Sequence, residues 1–199
     1  MSALLLVMLS ATASAALGYL ARRRARAIVG PPTIGPNVPL EATLPQPFDG
    51  LALAPDDVVC ADGEERWLAG ALLAREGKHV QAAIFMAPEG AEVRAVAILV
   101  PQGRAIFWLT RADVACPAEP PGAIEIHGLA LSRRWRLPVS IERHGQGAPQ
   151  VGDTGILAFY EAGARDVALV LTGTAAPCAW VGRRYDESEY ERLGTGKAR

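Results

Sequence analysis

The residues best suited to bind a charged ligand are the four at 133–136, in sequence Arg-Arg-Trp-Arg. Alternate side chains of a β-strand share one face, so Arg134 and Arg136 would point the same way. Guanidinium groups bind phosphate, carboxylate and anionic lipid headgroups. These residues are therefore the best candidate for a basic binding surface, to which Arg183 and Arg184 would add if the fold brings them near. The interpretation we favour, however, is an edge strand protected from aggregation by its arginines.

Catalytic motifs are absent from the sequence. The histidines, His79, His127 and His144, are dispersed and each lies near a predicted turn or strand end. No GxSxG, HExxH or P-loop spacing occurs, and the Gly-Thr-Gly-Lys stretch at 194–197 lacks the upstream glycine spacing. An enzyme would be favoured by a pocket that brings together Asp56, Asp57, Glu64, Glu65 or a histidine, and scattered exposed carboxylates would count against it.

The cysteines, Cys60, Cys116 and Cys178, are odd in number, widely spaced and without a CxxC motif. This pattern predicts neither a disulfide framework nor a zinc site. We expect small buried thiols in a reducing compartment. The sequence thus indicates no catalytic residue, no metal site and no cofactor.

The overall charge limits the class of partner. The 199 residues carry a formal net charge of −1, which gives no electrostatic case for nucleic acid. Twenty glycines and fifteen prolines indicate many turns. We expect one domain with a real core, or two small ones.

The N-terminus has the features of a membrane anchor. Residues 3–21 carry no charge, and arginines occupy four of the five positions at 22–26. Nineteen helical residues span roughly 28 Å, close to the hydrocarbon thickness of a bilayer. Because positive flanks stay in the cytoplasm, residues 1–21 are predicted as a single-pass signal anchor with the N-terminus outside and the following domain cytoplasmic.

The competing interpretation is a cleaved signal peptide. The Ala-Ser-Ala sequence at 13–15 fits a small-x-small cleavage site, and the most apolar part is short enough for an h-region. Cleavage after Ala15 would make the protein periplasmic or secreted. The lack of Lys or Arg before the apolar run, and the arginines just after it, favour the anchor.

Composition divides the rest of the chain. Residues 22–50 read as a basic flank and proline-rich spacer. Short apolar or alternating runs separated by turn residues predict antiparallel β-structure in a first module, 51–115, and a second, 122–184. The proline-rich stretch 116–122 separates them. Residues 185–199 are predicted as a polar tail, with the acidic part at 186–191 as a possible docking peptide.

Residues 129–141 give the clearest strand pattern. Apolar side chains occupy most odd positions and polar ones most even positions, which predicts a sheet with one dry and one wet face. Pro138 implies an edge position or a bulge there. A weak internal echo links residues 84–99 to 157–171. Two similar barrel-like or sandwich modules would produce it, and so would convergence of unrelated segments on generic hairpins.

A family resemblance rests on the stretches Leu53–Val59 and Glu65–Gly70. They resemble an uncharacterised, membrane-anchored bacterial β-rich domain family, a domain of unknown function. Its members pair a "gdvV" turn with a tryptophan-bearing strand and then repeat a similar module. Asp56 stands here in place of the glycine of that turn. The resemblance covers residues 51–184 and implies a β fold without implying any activity or site residue.

The sequence therefore predicts a mainly β, membrane-tethered, non-enzymatic protein. Its expected role is to bind a protein, or anionic lipid, at the cytoplasmic membrane face. An exported domain that binds a ligand or envelope component is the first alternative, and an enzyme with an unfamiliar site is the second. The sequence leaves the oligomeric state and the identity of the partner open.

Overall fold

The computed structural model describes residues 47–89, 92–173 and 176–195. This part of the chain forms β-strands and two short 3-10 turns, at Val100–Gln102 and Glu187–Glu189. The strands in chain order are β1 Asp57–Ala61, β2 Glu64–Trp67, β3 Gly70–Glu76, β4 His79–Glu89, β5 Glu92–Leu99, β6 Ile106–Ala112, β7 Ala123–Ile126, β8 Leu129–Gly145, β9 Thr154–Ala162, β10 Asp166–Gly173, β11 Cys178–Tyr185 and β12 Tyr190–Thr195.

Eight of these strands close into an antiparallel barrel. Their order is β3-β4-β5-β6-β11-β10-β9-β8, and pairing of Gly70–Arg75 with Ser140–Gly145 joins β3 back to β8. The mainly β prediction is thus confirmed. Strands β3–β6 of the predicted module 51–115 and β8–β11 of the predicted module 122–184 form two four-stranded meanders that meet in this one barrel.

Aromatic and aliphatic side chains fill the inside of the barrel. The Phe159 ring lies 5.4 Å from the ring of Phe107 and 5.5 Å from that of Trp135, measured between centroids. Trp180 is fully buried in the same cluster. An eight-stranded barrel is just wide enough for side chains to fill it, so this interior is a packed core.

Much of the outer barrel surface is also covered. A small sheet of order β12-β1-β2, together with residues 48–53, packs over one side. Strand β7 and the segment that leads to it cover another side, where Ile126 and Leu131 are buried with Tyr160. Covering both faces explains why residues 82–87 are all buried and apolar, where a strand with one wet face would alternate.

Strand β8 has a local free edge. It pairs with β7 through Leu129–Ser132 and with β3 through Ser140–Gly145. Between these two partners, residues 133–139 have no strand neighbour on that side within the described chain, whereas β9 lines the other side. Pro138 lies in this stretch, as the predicted edge position requires. A bulge also occurs in β8, between Arg133 and Trp135.

The internal echo falls on equivalent parts of the two meanders. Residues 84–99 belong to the β4–β5 hairpin and residues 157–171 to the β9–β10 hairpin. Each hairpin supplies the second and third strands of its meander. This placement is what a duplicated module would give, and the duplication itself remains a prediction.

The structure bears differently on the segments predicted at the two ends of the chain. The anchor at 3–21 and most of the spacer at 22–50 lie outside the described residues, and no helix within the described ranges has the length and apolarity needed to cross a bilayer. The described part of the predicted polar tail is ordered instead, because a capping box at Asp186 and Glu189 leads into β12, which pairs with β1.

Candidate interaction surface

The arginines at 133–136 are bonded to other parts of the domain. The Arg134 Nε lies 2.7 Å from Glu161 Oε2, and Arg136 pairs with Glu119. The Arg133 guanidinium donates to the carbonyl oxygen of Pro120. Arg134 and Arg136 therefore bring no uncompensated positive charge to this strand.

Arg183 and Arg184 lie elsewhere in the barrel. They are on β11, which β9 and β10 separate from β8. Arg184 Nη2 lies 3.0 Å from Asp186 Oδ1, and Arg183 Nε lies 3.9 Å from Asp166 Oδ1. These arginines do not extend the β8 stretch into one basic surface.

Histidines and cysteines are dispersed in the structure, as they are in the sequence. His79 begins β4, His127 lies in the β7–β8 turn and His144 lies near the end of β8. All three cysteines are free, and burial raises the pKa of the Cys116 thiol. Within the described residues, no three His, Cys, Asp or Glu side chains are grouped so as to hold a metal ion.

The candidate acidic residues have separate environments. Asp57 is fully buried and accepts hydrogen bonds from Ala54 N and Arg192 Nη2, both at 2.8 Å. Asp56 adopts a positive φ of 73° in the turn before β1. Glu64 lies 3.7 Å from the Arg94 guanidinium, and Glu65 is exposed. None of these four carboxylates and no histidine lines the cavities beside Arg104, Ser140 or Cys60.

The small sheet turns one face to the barrel and the other to solvent. Along β1, Val59 and Ala61 are buried, whereas Val58 and Cys60 are only half-buried. On β2, Arg66 is buried, whereas the side chain of Trp67 is 49 % exposed. Since successive strand residues alternate between faces, the less buried residues form the outer face.

The strand register arranges this outer face in two rows. Val58 pairs with Trp67 on one side and with Gly194 on the other. Leu193 is the extra residue of a bulge in β12 and is 50 % exposed. In the second row, Cys60 of β1 lies between Glu65 of β2 and Glu191 of β12. We call this surface the docking face, and it consists of Val58, Cys60, Glu65, Trp67, Glu191 and Leu193.

The carboxylates of Glu65 and Glu191 are unpaired within the described chain. Both pair with Cys60 through the backbone, one on each side, and neither makes an ion pair or side-chain hydrogen bond to a described residue. Nearby Glu89 and Glu92, by contrast, bind the Arg94 guanidinium at 2.6 and 3.1 Å. The docking face thus combines exposed apolar groups with free negative charge.

A rigid base lies under the docking face. The Arg66 Nη1 donates to Ala95 O at 2.8 Å and to Leu109 O at 2.7 Å, which fixes β2 on β5 and β6. Its guanidinium carbon lies 4.0 Å from the ring centroid of Trp108, whose Nε1 donates to Glu64 Oε2 at 3.2 Å. Burial lowers the pKa of Arg66 to about 10. The backbone of β2 is therefore held in place while Trp67 faces outward.

Comparison with protein-family models, curated proteins and solved structures finds no match to this chain.

Sequence reasoning missed the docking face because its members are distant along the chain. Glu191 and Leu193 belong to the segment predicted as a polar tail, and only the pairing of β12 with β1 brings them beside Cys60. One local signal was present. In β2, Arg66 is flanked by Glu65 and Trp67, so either the arginine or the tryptophan had to face outward.

Proposed function

We propose that this protein is a non-enzymatic binding module that docks a protein partner on the docking face. The observation that carries the proposal is the half-exposed Trp67 on a sheet face that no described element covers. Tryptophan is enriched at the energetic centres of interfaces because it buries a large apolar area when a partner covers it. The dispersed histidines and carboxylates support a binding role rather than a catalytic one.

The charge of the docking face specifies the partner further. Glu65 and Glu191 are on strands to either side of β1, so their backbones are about 10 Å apart. A lysine or arginine of a partner placed over Cys60 would be near both carboxylates. We therefore expect a segment with a basic side chain next to an apolar one, the apolar one contacting Trp67 and Leu193.

A protein partner is favoured over anionic lipid. The docking face is acidic, and anionic headgroups would be repelled from it. The arginines predicted to contact lipid, Arg134 and Arg136, are paired with carboxylates at Glu161 and Glu119. These two arginines thus offer no free positive charge to a lipid headgroup.

The location of the module is a separate part of the proposal and is supported by the sequence alone. The apolar residues 3–21 and the arginines at 22–26 favour a membrane tether with the barrel on the cytoplasmic side. Cleavage after Ala15 and export remains the alternative.

Photo-crosslinking in intact cells tests the docking face. Trp67 is replaced by benzoylphenylalanine, which keeps an aromatic ring at that position. Lys78, in the turn between β3 and β4, is replaced in a control variant. A third variant combines the crosslinker at 67 with Glu65→Gln and Glu191→Gln. Mass spectrometry then identifies the segment attached to each.

We expect position 67 to crosslink to a segment that has a lysine or arginine beside an apolar residue. The Glu→Gln changes should lower that yield several-fold. A yield at 67 no greater than at 78, or one unaffected by the Glu→Gln changes, would contradict the proposal. Attachment to lipid or to a second copy of this chain would contradict it as well.

A further inference from the structure

A cavity of about 650 Å³ lies between residues 50–53, the 3-10 turn after β5 and strand β12. None of the residues that line it belongs to the docking face. Its volume falls within the range of roughly 300–1,000 Å³ found for small-molecule sites. Nothing in the proposed docking role uses this space. Its lining combines an apolar wall with two arginines, so a ligand could make both apolar and polar contacts there.

The apolar wall includes three large aliphatic side chains besides those of Leu51 and Ala52. Leu53 and Ile98 are buried at 1 % and 3 % exposure, and they form a fixed floor. Val100, in the 3-10 turn, is 44 % exposed and is one of four large apolar side chains in the described chain that remain so open. An apolar ligand group placed here would cover Val100 without displacing any core residue.

Two guanidinium groups adjoin this wall. Arg104 Nη1 lies 2.5 Å from Glu187 Oε1, and Arg192 Nη2 lies 2.8 Å from Asp57 Oδ1. Arg192 Nη1 also reaches Ala52 O, at 3.4 Å. A guanidinium carries five N–H donors, so both arginines keep donors that these contacts leave unused.

We propose that this cavity binds a small amphipathic monocarboxylate. Its carboxylate accepts hydrogen bonds from the spare N–H groups of Arg104 and Arg192, and its apolar part covers Val100, Ile98 and Leu53. Because Glu187 and Asp57 already balance the two arginines, the head group is held by their unused N–H donors and not by net positive charge, which disfavours a phosphate dianion. The site is independent of the docking role proposed for the small sheet.

Calorimetric titration tests this site. The full chain in phosphatidylcholine nanodiscs is titrated with sodium hexanoate, with acetate and hexan-1-ol as probes that lack the apolar tail or the carboxylate. Heats from empty nanodiscs are subtracted. The variants are Arg104→Gln and Val100→Ser, and Arg134→Gln serves as the matched control because Arg134 is also an exposed arginine in an ion pair.

Hexanoate is expected to bind with a stoichiometry of one and to bind more tightly than acetate or hexan-1-ol. Arg104→Gln should weaken hexanoate binding about tenfold, in line with loss of a charge-assisted hydrogen bond. Val100→Ser should weaken it too, whereas Arg134→Gln should leave it unchanged. Absence of hexanoate binding, equal affinity for acetate, or equal effects of Arg104→Gln and Arg134→Gln would overturn the proposal.

Discussion

The fully buried carboxylate of Asp57 binds the guanidinium of Arg192 at 2.8 Å, across 135 positions of sequence. Asp57 opens β1 and Arg192 lies in β12, so the bond fixes the last strand on the first. Both the docking face and the cavity beside Arg104 include residues of β12. This one ion pair therefore supports two separate surfaces.

Replacing Arg192, whose partner Asp57 is fully buried, should destabilise the fold more than replacing Arg134, whose partner Glu161 is partly exposed. Arg192→Gln leaves the Asp57 carboxylate buried without its cation, and we expect the free energy of unfolding to fall by about 2–4 kcal/mol. Urea denaturation of the purified protein measures this change. Arg134→Gln, which breaks an exposed ion pair, should cost less than about 1 kcal/mol. Equal costs for the two variants would show that the Asp57 contact adds no special stability.

Gly182 should tolerate no side chain. It faces β6 in the seam where the two meanders meet, and a Cβ there would overlap the carbonyl oxygen of Trp108. We expect Gly182→Ala to lower the unfolding temperature by several degrees or more, because the obstacle is backbone rather than a flexible side chain. Gly122→Ala is the control, since a Cβ at Gly122 meets no atom within 4 Å. Similar unfolding temperatures for both variants would contradict this close approach.

Alkaline pH should destabilise the protein partly through Tyr185. Its hydroxyl donates to Asp62 Oδ2 at 2.6 Å, and this hydrogen bond, followed by burial, raises the pKa of Tyr185 above its ordinary value of 10.0. The folded state therefore keeps a proton that the unfolded state loses above about pH 10, so stability falls as pH rises through that range. Thermal unfolding between pH 8 and 11 measures the decline. Asp62→Asn should make it shallower, and an unchanged slope would exclude this hydrogen bond as its cause.

Trp67 and Trp180 should differ sharply in their effect on stability. Trp180→Leu removes part of a fully buried ring and should cost about 2–4 kcal/mol. Trp67→Gln should lower the free energy of unfolding by less than about 1 kcal/mol, because the ring is half exposed and is not part of the buried core. Urea denaturation compares the two. A large loss for Trp67→Gln would assign that ring a structural role instead of a binding one.

Local patterns predicted most of the barrel strands. The apolar runs within residues 80–87, 93–100 and 167–172 lie in β4, β5 and β10, because strand period and turn residues are local properties. The alternating segment 129–141 became β8, including the edge position of Pro138.

The missed elements depend on partners that are distant in sequence. Strand β12 has two charged residues and a glycine among its six, and it is a strand because β1 offers a pairing edge and Asp57 offers a buried partner to Arg192. Strand β7 has only four residues, Ala123–Ile126, and is placed by pairing with β8. For the same reason, the row of Glu65, Cys60 and Glu191 was not predictable from spacing.

The pairing that closes the barrel affects the state of the chain while it is being synthesised. The first meander ends at Ala112, yet its outer strands β3 and β6 pair with residues 140–145 and 179–185. A ribosome that has just released β6 therefore exposes a half-barrel with two open edges and an uncovered apolar interior. Those edges must avoid pairing with neighbouring nascent chains until roughly seventy more residues emerge, which takes several seconds at about 5–20 residues per second.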